Sequence, residues 1–126
     1  MLGSGRGELL EPVPSLCEGA LVLALPPVTM GTTEAYGLIG PEDYTDGSRT
    51  TRLVASLRAG SALPEVAAGM YNAFAAPVER HRPEIAALRQ RLQALPAQAV
   101  LLCGSGAAVG AVFASAEGAD EAAARL

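Results

Sequence analysis

A chain of 126 residues, half of them apolar but only 4% aromatic, has the size of one domain, with a core built from Leu, Val and Ala. Its net charge of −4, carried with nine arginines and no lysine, excludes a dedicated nucleic-acid binder, whose footprint is a basic patch. Cys17 and Cys103 make neither a C-x-x-C pattern nor a zinc set, and residues 21–27 are too short an apolar run to span a bilayer, so the reading is a cytoplasmic protein with no metal site and no membrane partner.

Residues 5–14 alternate in character and end in Pro12 and Pro14, which predicts an edge strand closing into a turn. Ala20 to Leu25 is an uninterrupted apolar run stopped by Pro26 and Pro27, the pattern of an interior strand. Thr32 to Leu38 reads as a short helix, with Thr32 as N-cap and Glu34 in its first turn. Residues 40–48 are loop chemistry, after which Asp46 or Ser48 caps a helix that Gly60 ends. Pro64 opens another helix, with Val66, Met70, Phe74 and Val78 spaced along one face. Pro77 predicts a break in it after Asn72. Arg80, His81 and Arg82, flanked by Glu79 and Glu84, read as a solvated helix face.

From Pro83 a stronger helix aligns Ile85, Leu88, Leu92 and Leu95, turns Arg89, Gln90, Arg91 and Gln93 away, and stops at Pro96. A buried strand over Ala99–Cys103, a glycine turn, a segment over Ala108–Ala114 whose alanines would also tolerate a helix and which the family resemblance given below makes a strand, and a last helix from Glu117 complete the chain. The order β-β-α-α-α-α-β-β-α is an α+β fold, an antiparallel sheet with helices packed on one face. Cys103 fits a small core residue at the end of its strand.

The turn itself, Gly104-Ser105-Gly106 followed by Ala107 and Ala108, is the most informative stretch. Two glycines reach positive φ without steric cost, and a backbone bare of side chains approaches a phosphate or polar substrate closely with its N–H groups. Such a turn also joins two strands with no ligand at all. The spacing Gly104, Gly106, Gly110 is not a dinucleotide fingerprint. That motif needs a second βαβ unit and an acidic residue about 20 positions on, for which these residues leave no room.

Four segments in order resemble one family. They are Gly5-Arg6-Gly7-Glu8-Leu9-Leu10-Glu11-Pro12, then Leu25-Pro26-Pro27-Val28 with Thr32-Thr33-Glu34-Ala35-Tyr36, then Met70-Tyr71-Asn72-Ala73-Phe74, and Pro83-Glu84-Ile85 leading to the glycine loop. Together they are similar to the second half of the GHMP small-molecule kinases, in which the glycine loop is the third signature motif. The resemblance runs from about Gly5 to the end of the chain. It differs in Ala107, Ala108 and Gly110, where the family usually has a Pro-Thr-like pair and an aromatic, and in Ala73 and Ala75, where acidic residues are frequent.

The resemblance implies a ferredoxin-like C-terminal domain over residues 1–126, with the N-terminal ATP-binding domain, its phosphate loop, catalytic Asp and active-site Lys lying outside this chain. It implies transfer of the ATP γ-phosphoryl group, with Mg2+, to a hydroxyl of a cytidine-diphosphate sugar alcohol in isoprenoid precursor biosynthesis. Gly104, Ser105 and Gly106 would face the phosphates and acceptor, and Thr32, Tyr36 and Asn72 the substrate pocket, with no catalytic residue on this chain. A helix cap, an ordinary packed tyrosine and a loop-anchoring amide are the structural alternatives for those three. The partners implied are a small-molecule substrate and the N-terminal domain, with self-association through the face that domain would cover. A second reading stays open, a stand-alone α+β binding or oligomerisation module without chemistry. On the sequence alone, Gly106→Val is expected to leave the fold near native, since a turn contributes little core.

Overall fold

The structure is a computed structural model and describes residues 1–126. Two short strands, β1 (Leu2–Ser4) and β2 (Leu9–Glu11), pair antiparallel as a hairpin of their own. Of the edge strand expected over 5–14 only Leu9–Glu11 forms, because Gly5 and Gly7 both take positive φ and turn the chain back from a first arm that lies before residue 5. The main sheet holds β3 (Ala20–Ala24), β4 (Ala99–Leu102) and β5 (Val109–Phe113) in the order β3-β5-β4, all antiparallel. Register is fixed by Val22 opposite Ala111 and by Leu102 opposite Val109.

Six helices complete the chain: α1 (Thr32–Gly37), α2 (Ser48–Ala59), α3 (Leu63–Gly69), α4 (Ala75–His81), α5 (Pro83–Gln93) and α6 (Ala116–Ala123), with a 3₁₀ turn at Pro41–Asp43. One face of the sheet, bearing Val22, Val109, Ala111, Phe113 and Leu102, packs on Val78 of α4, Ile85 and Leu92 of α5, and Ala119 and Ala122 of α6. The core thus lies between one sheet face and three helices, as the α+β pattern predicts. Helices α2 and α3 pack on one another, burying Val54, Leu63, Val66 and Ala67.

Local chemistry explains most boundaries. Gly60 takes φ +68 and closes α2 through its N–H to Leu57 and Ser56 carbonyls. The long helix expected from Pro64 is two helices, separated at residues 70–74. Pro77 sits in the first turn of α4, where a missing N–H costs no helical bond. Pro83 opens α5, but the helix ends at Gln93, so Leu95 joins the core from the following turn instead.

Three local expectations are corrected. The N-cap of α1 is Gly31, with Thr32 the first helical residue; Glu34 accepts the Gly31 N–H in place of a hydroxyl cap. Strand β3 is an edge strand, not an interior one, since its only neighbour is β5. Its apolar run is continuous because Val22 faces the core while Leu21 and Leu23 stay exposed. Cys103 is half-buried at the mouth of the glycine loop.

Candidate functional site

The loop between β4 and β5 is closed at its base by the Cys103 N–H donating to Ala108 O at 2.9 Å. Gly104 and Gly106 take φ +57 and +101, the region where glycine alone is unstrained. The Gly106 N–H is turned inward and donates to Cys103 O at 3.0 Å. The N–H groups of Gly104, Ser105 and Ala107 take no partner within the chain. The loop therefore offers unpartnered backbone donors, and Gly106, whose own N–H is used internally, closes the turn.

Two distant segments meet this loop. The Ser105 hydroxyl lies 3.3 Å from the Thr32 hydroxyl at the start of α1, one donating to the other. Asn72, in the break between α3 and α4, donates both amide hydrogens to loop carbonyls, at 2.8 Å to Leu102 O and 2.7 Å to Gly104 O. Its Oδ1 accepts the Phe74 N–H at 2.9 Å. All three expected segments thus come together at one place. Within it Asn72 is the anchor of the loop, its amide fully occupied by backbone.

Tyr36 lies one turn beyond Thr32 on α1. Its ring meets Phe74 edge-on, centroids 4.9 Å apart at 79°, yet remains 64% exposed. The two rings border an open groove of about 420 Å³ with Ile39, Tyr44 and Ala73. An exposed aromatic ring bordering a groove can serve as a platform for a planar ligand.

Charge around the site is organised rather than merely solvated. Arg82 donates to Glu34 at 2.6 Å, His81 lies 3.0 Å from the same oxygen, and Arg80 pairs with Asp43 at 3.5 Å. The basic cluster is the solvated face expected, with Arg80 and His81 exposed, and it also carries ion pairs to non-local acids, while neighbouring Glu79 pairs with Arg89 at 2.6 Å. Arg89 consequently turns back toward α4 instead of facing away. No local signal marks these pairs, because their members lie 37 to 48 positions apart except for Glu79 and Arg89. Together they tie α1, which carries Thr32 and Tyr36, to the α4–α5 junction.

The Gly31 N–H bond holds the Glu34 carboxyl below the ordinary carboxylate range, opposed by partial desolvation and aided by the smaller effects of His81 and Arg82. A depressed folded pKa means that its stabilising contribution is present above the unfolded value near 4.5 and is lost as pH falls through the lower folded value. Glu34→Gln is therefore expected to be less stable than the parent at neutral pH, with the gap closing on acidification below that range. Thermal unfolding of both proteins across a pH series checks it; a gap independent of pH would contradict the ionic role.

No group of three His, Cys, Asp or Glu side chains is placed to hold a metal ion. The unpartnered loop N–H groups suit phosphate oxygens, which backbone donors bind without a titratable side chain.

The family described as GHMP kinases C terminal matches residues 53–126. The chain is 35% identical over 128 residues to the 4-diphosphocytidyl-2-C-methyl-D-erythritol kinase of Moorella thermoacetica and 33% identical over 127 residues to that of Pelotomaculum thermopropionicum. These alignments take in 99% and 98% of this chain but 45% and 43% of the relatives. A crystal structure of 4-(cytidine 5'-diphospho)-2C-methyl-D-erythritol kinase matches with TM-score 0.78 and 26% identity, over 96% of this chain and 43% of that one. Homoserine kinase from Cytophaga hutchinsonii shares the fold, with TM-score 0.62 and 19% identity over 87% of this chain and 36% of that one. The chain spans less than half the length of each of these proteins.

Proposed function

The chain belongs to the GHMP kinases, as a C-terminal domain, and from that premise we propose that it is the substrate side of an ATP-dependent kinase phosphorylating 4-diphosphocytidyl-2-C-methyl-D-erythritol, a reaction of isoprenoid precursor synthesis in the cytoplasm. The observation that carries this reading is the meeting of Thr32, Asn72 and Ser105, from three separate segments, at a loop with free backbone N–H groups. Structural convergence of that kind costs conformational freedom that a plain strand connection has no reason to spend.

In this reading the N–H groups of Gly104, Ser105 and Ala107 orient phosphate oxygens. The paired hydroxyls of Thr32 and Ser105 offer a further donor and acceptor beside them. The exposed Tyr36 ring is the surface offered to the pyrimidine base. Asn72 acts through the loop and holds its carbonyls in place. Phosphoryl transfer depends mainly on positioning and on stabilising spread negative charge, and fixed backbone donors supply both. ATP and Mg2+ would be held chiefly by the N-terminal domain that pairs with this one in the complete enzyme, and proton transfer from the acceptor hydroxyl is assigned there too.

The purified chain is accordingly expected to bind the cytidine-diphosphate substrate weakly and to turn over no ATP. Backbone amide spectra during titration with 4-diphosphocytidyl-2-C-methyl-D-erythritol should shift at Thr32, Tyr36 and Ser105, and homoserine should leave them in place. Shifts scattered elsewhere, or equal shifts with homoserine, would defeat the reading; sustained ATP turnover by this chain would defeat the division of labour.

A further inference from the structure

Helix α1 carries both Thr32 and Tyr36, yet it has only six residues. A helix so short does not hold its own place in water, so its pose depends on what ties it to the body. Its one buried side chain is Ala35, a small peg that leaves the pitch of the helix to other contacts. Pitch matters most at the N-terminal end. The hydroxyls of Thr32 and Ser105 stand 3.3 Å apart, long for such a pair, and a small pivot of α1 would part them.

Glu34 is placed to control that pivot. Its Oε2 accepts the N–H of Gly31, the residue directly before Thr32, at 3.4 Å. Its Oε1 accepts from Arg82 at 2.6 Å and has His81 Nε2 at 3.0 Å. The carboxylate therefore bridges the start of α1 to the α4–α5 junction. Arg82 is the fixed end of that bridge. Its N–H donates to Val78 O at 2.8 Å, its carbonyl accepts the Ile85 N–H at 3.0 Å, and Pro83 follows it. Val78 and Ile85 are both fully buried, so the arginine springs from a joint locked into the core. Its Nε is buried without a hydrogen-bond partner, a cost that a merely solubilising arginine avoids by turning outward. Its charge persists at every working pH, unlike that of a histidine.

We propose that Arg82 is a positioning residue: by holding Glu34 it sets the pitch of α1 and keeps the Thr32 hydroxyl against Ser105 at the glycine loop. The purpose of that placement rests on the substrate-side reading, but the contact itself exists without ligand.

Nuclear magnetic resonance of the free chain tests the contact, and titration with 4-diphosphocytidyl-2-C-methyl-D-erythritol tests its use. Arg82→Gln should abolish the proton–proton contact between the Thr32 and Ser105 side chains. It should also speed amide exchange at Ala35 and Leu38, whose bonds to Gly31 O and Ala35 O hold the helix. Exchange in α5 and β5 should stay parental. Affinity for the substrate should fall about tenfold, a usual scale of coupling between separate groups. In a Ser105→Ala background the same substitution should cost no more than about a further twofold, because residues acting through one contact are not additive. An unchanged Thr32–Ser105 contact in Arg82→Gln, or an unchanged affinity where the parent binds, would overturn the proposal. So would equal affinity losses with and without Ser105, or loosening spread through α5 and β5, the mark of a merely structural arginine. If the parent chain binds no substrate, the substrate-side reading falls, and the free-chain contact still decides the role of Arg82.

Discussion

Gly106→Val is expected to destabilise the chain by roughly 2–5 kcal/mol, besides removing the loop's ligand-facing geometry. Two costs combine. At φ +101 a branched residue sits outside its allowed backbone regions, which costs about 1–3 kcal/mol. A Cβ at this position would already rest in van der Waals contact, 3.5 Å from Met30 and from Val78, so the two further methyls of valine are added against packed side chains. Val78 is fully buried and Met30 nearly so, and overpacking such a site costs about 1–3 kcal/mol. For a domain of this size the thermal midpoint should fall by roughly 10 °C or more. Gly106→Ala separates the two costs, because it incurs the backbone strain and avoids the overpacking. A valine variant as stable as the parent would mean that the loop moves away from the core freely.

That result differs from the near-native fold expected on the sequence alone, and the difference has a physical origin. A Gly-Ser-Gly turn between two apolar arms is legible as a low, flexible backbone, and both arms are the strands they were read as. What periodicity cannot reveal is which side of the turn meets the core. Gly104 has open space around it, whereas Gly106 lies on Met30 and Val78. The two glycines are equivalent in the sequence and opposite in the fold.

The same division holds elsewhere. Gly60, Pro83 and the interruption before Pro77 were legible because glycine and proline act through their own backbone. The pairing of Thr32 with Ser105 spans 73 positions, and that of Glu34 with Arg82 spans 48. Neither leaves a local trace. The family resemblance placed Thr32, Tyr36, Asn72 and the glycine loop in one region, but the geometry distinguishes their parts. Strand β3 was misplaced in the sheet for a related reason. A continuous apolar run signals burial on both faces, and here one of those faces is open within the chain.

Asn72→Ala is expected to cost about 2–4 kcal/mol of stability and to loosen the glycine loop. Three hydrogen bonds end on this amide, to Leu102 O, Gly104 O and the Phe74 N–H. Water can replace the bond to exposed Gly104, but the other two lie in partly buried surroundings, where an unsatisfied group costs about 1–3 kcal/mol. Asn72→Asp is the sharper probe because it conserves shape. One carboxylate oxygen can still accept the Phe74 N–H, while the other faces two carbonyl oxygens that have lost their donor. That environment favours the protonated acid and raises its folded pKa above the unfolded value. Protonation restores one donor, so the Asp variant should regain stability as pH falls and lose it as pH rises through the raised folded pKa. The sign is opposite to that expected for the Glu34 carboxylate in the parent chain, which allows the two effects to be told apart in one set of pH-dependent melts. Loop opening should follow the same trend, read as faster amide exchange at Gly104 and Ser105. A residue that served ligand alone would leave both stability and loop exchange unchanged in the free chain, and an Asn72→Asp variant with parental stability at neutral pH would remove Asn72 from the role of anchor.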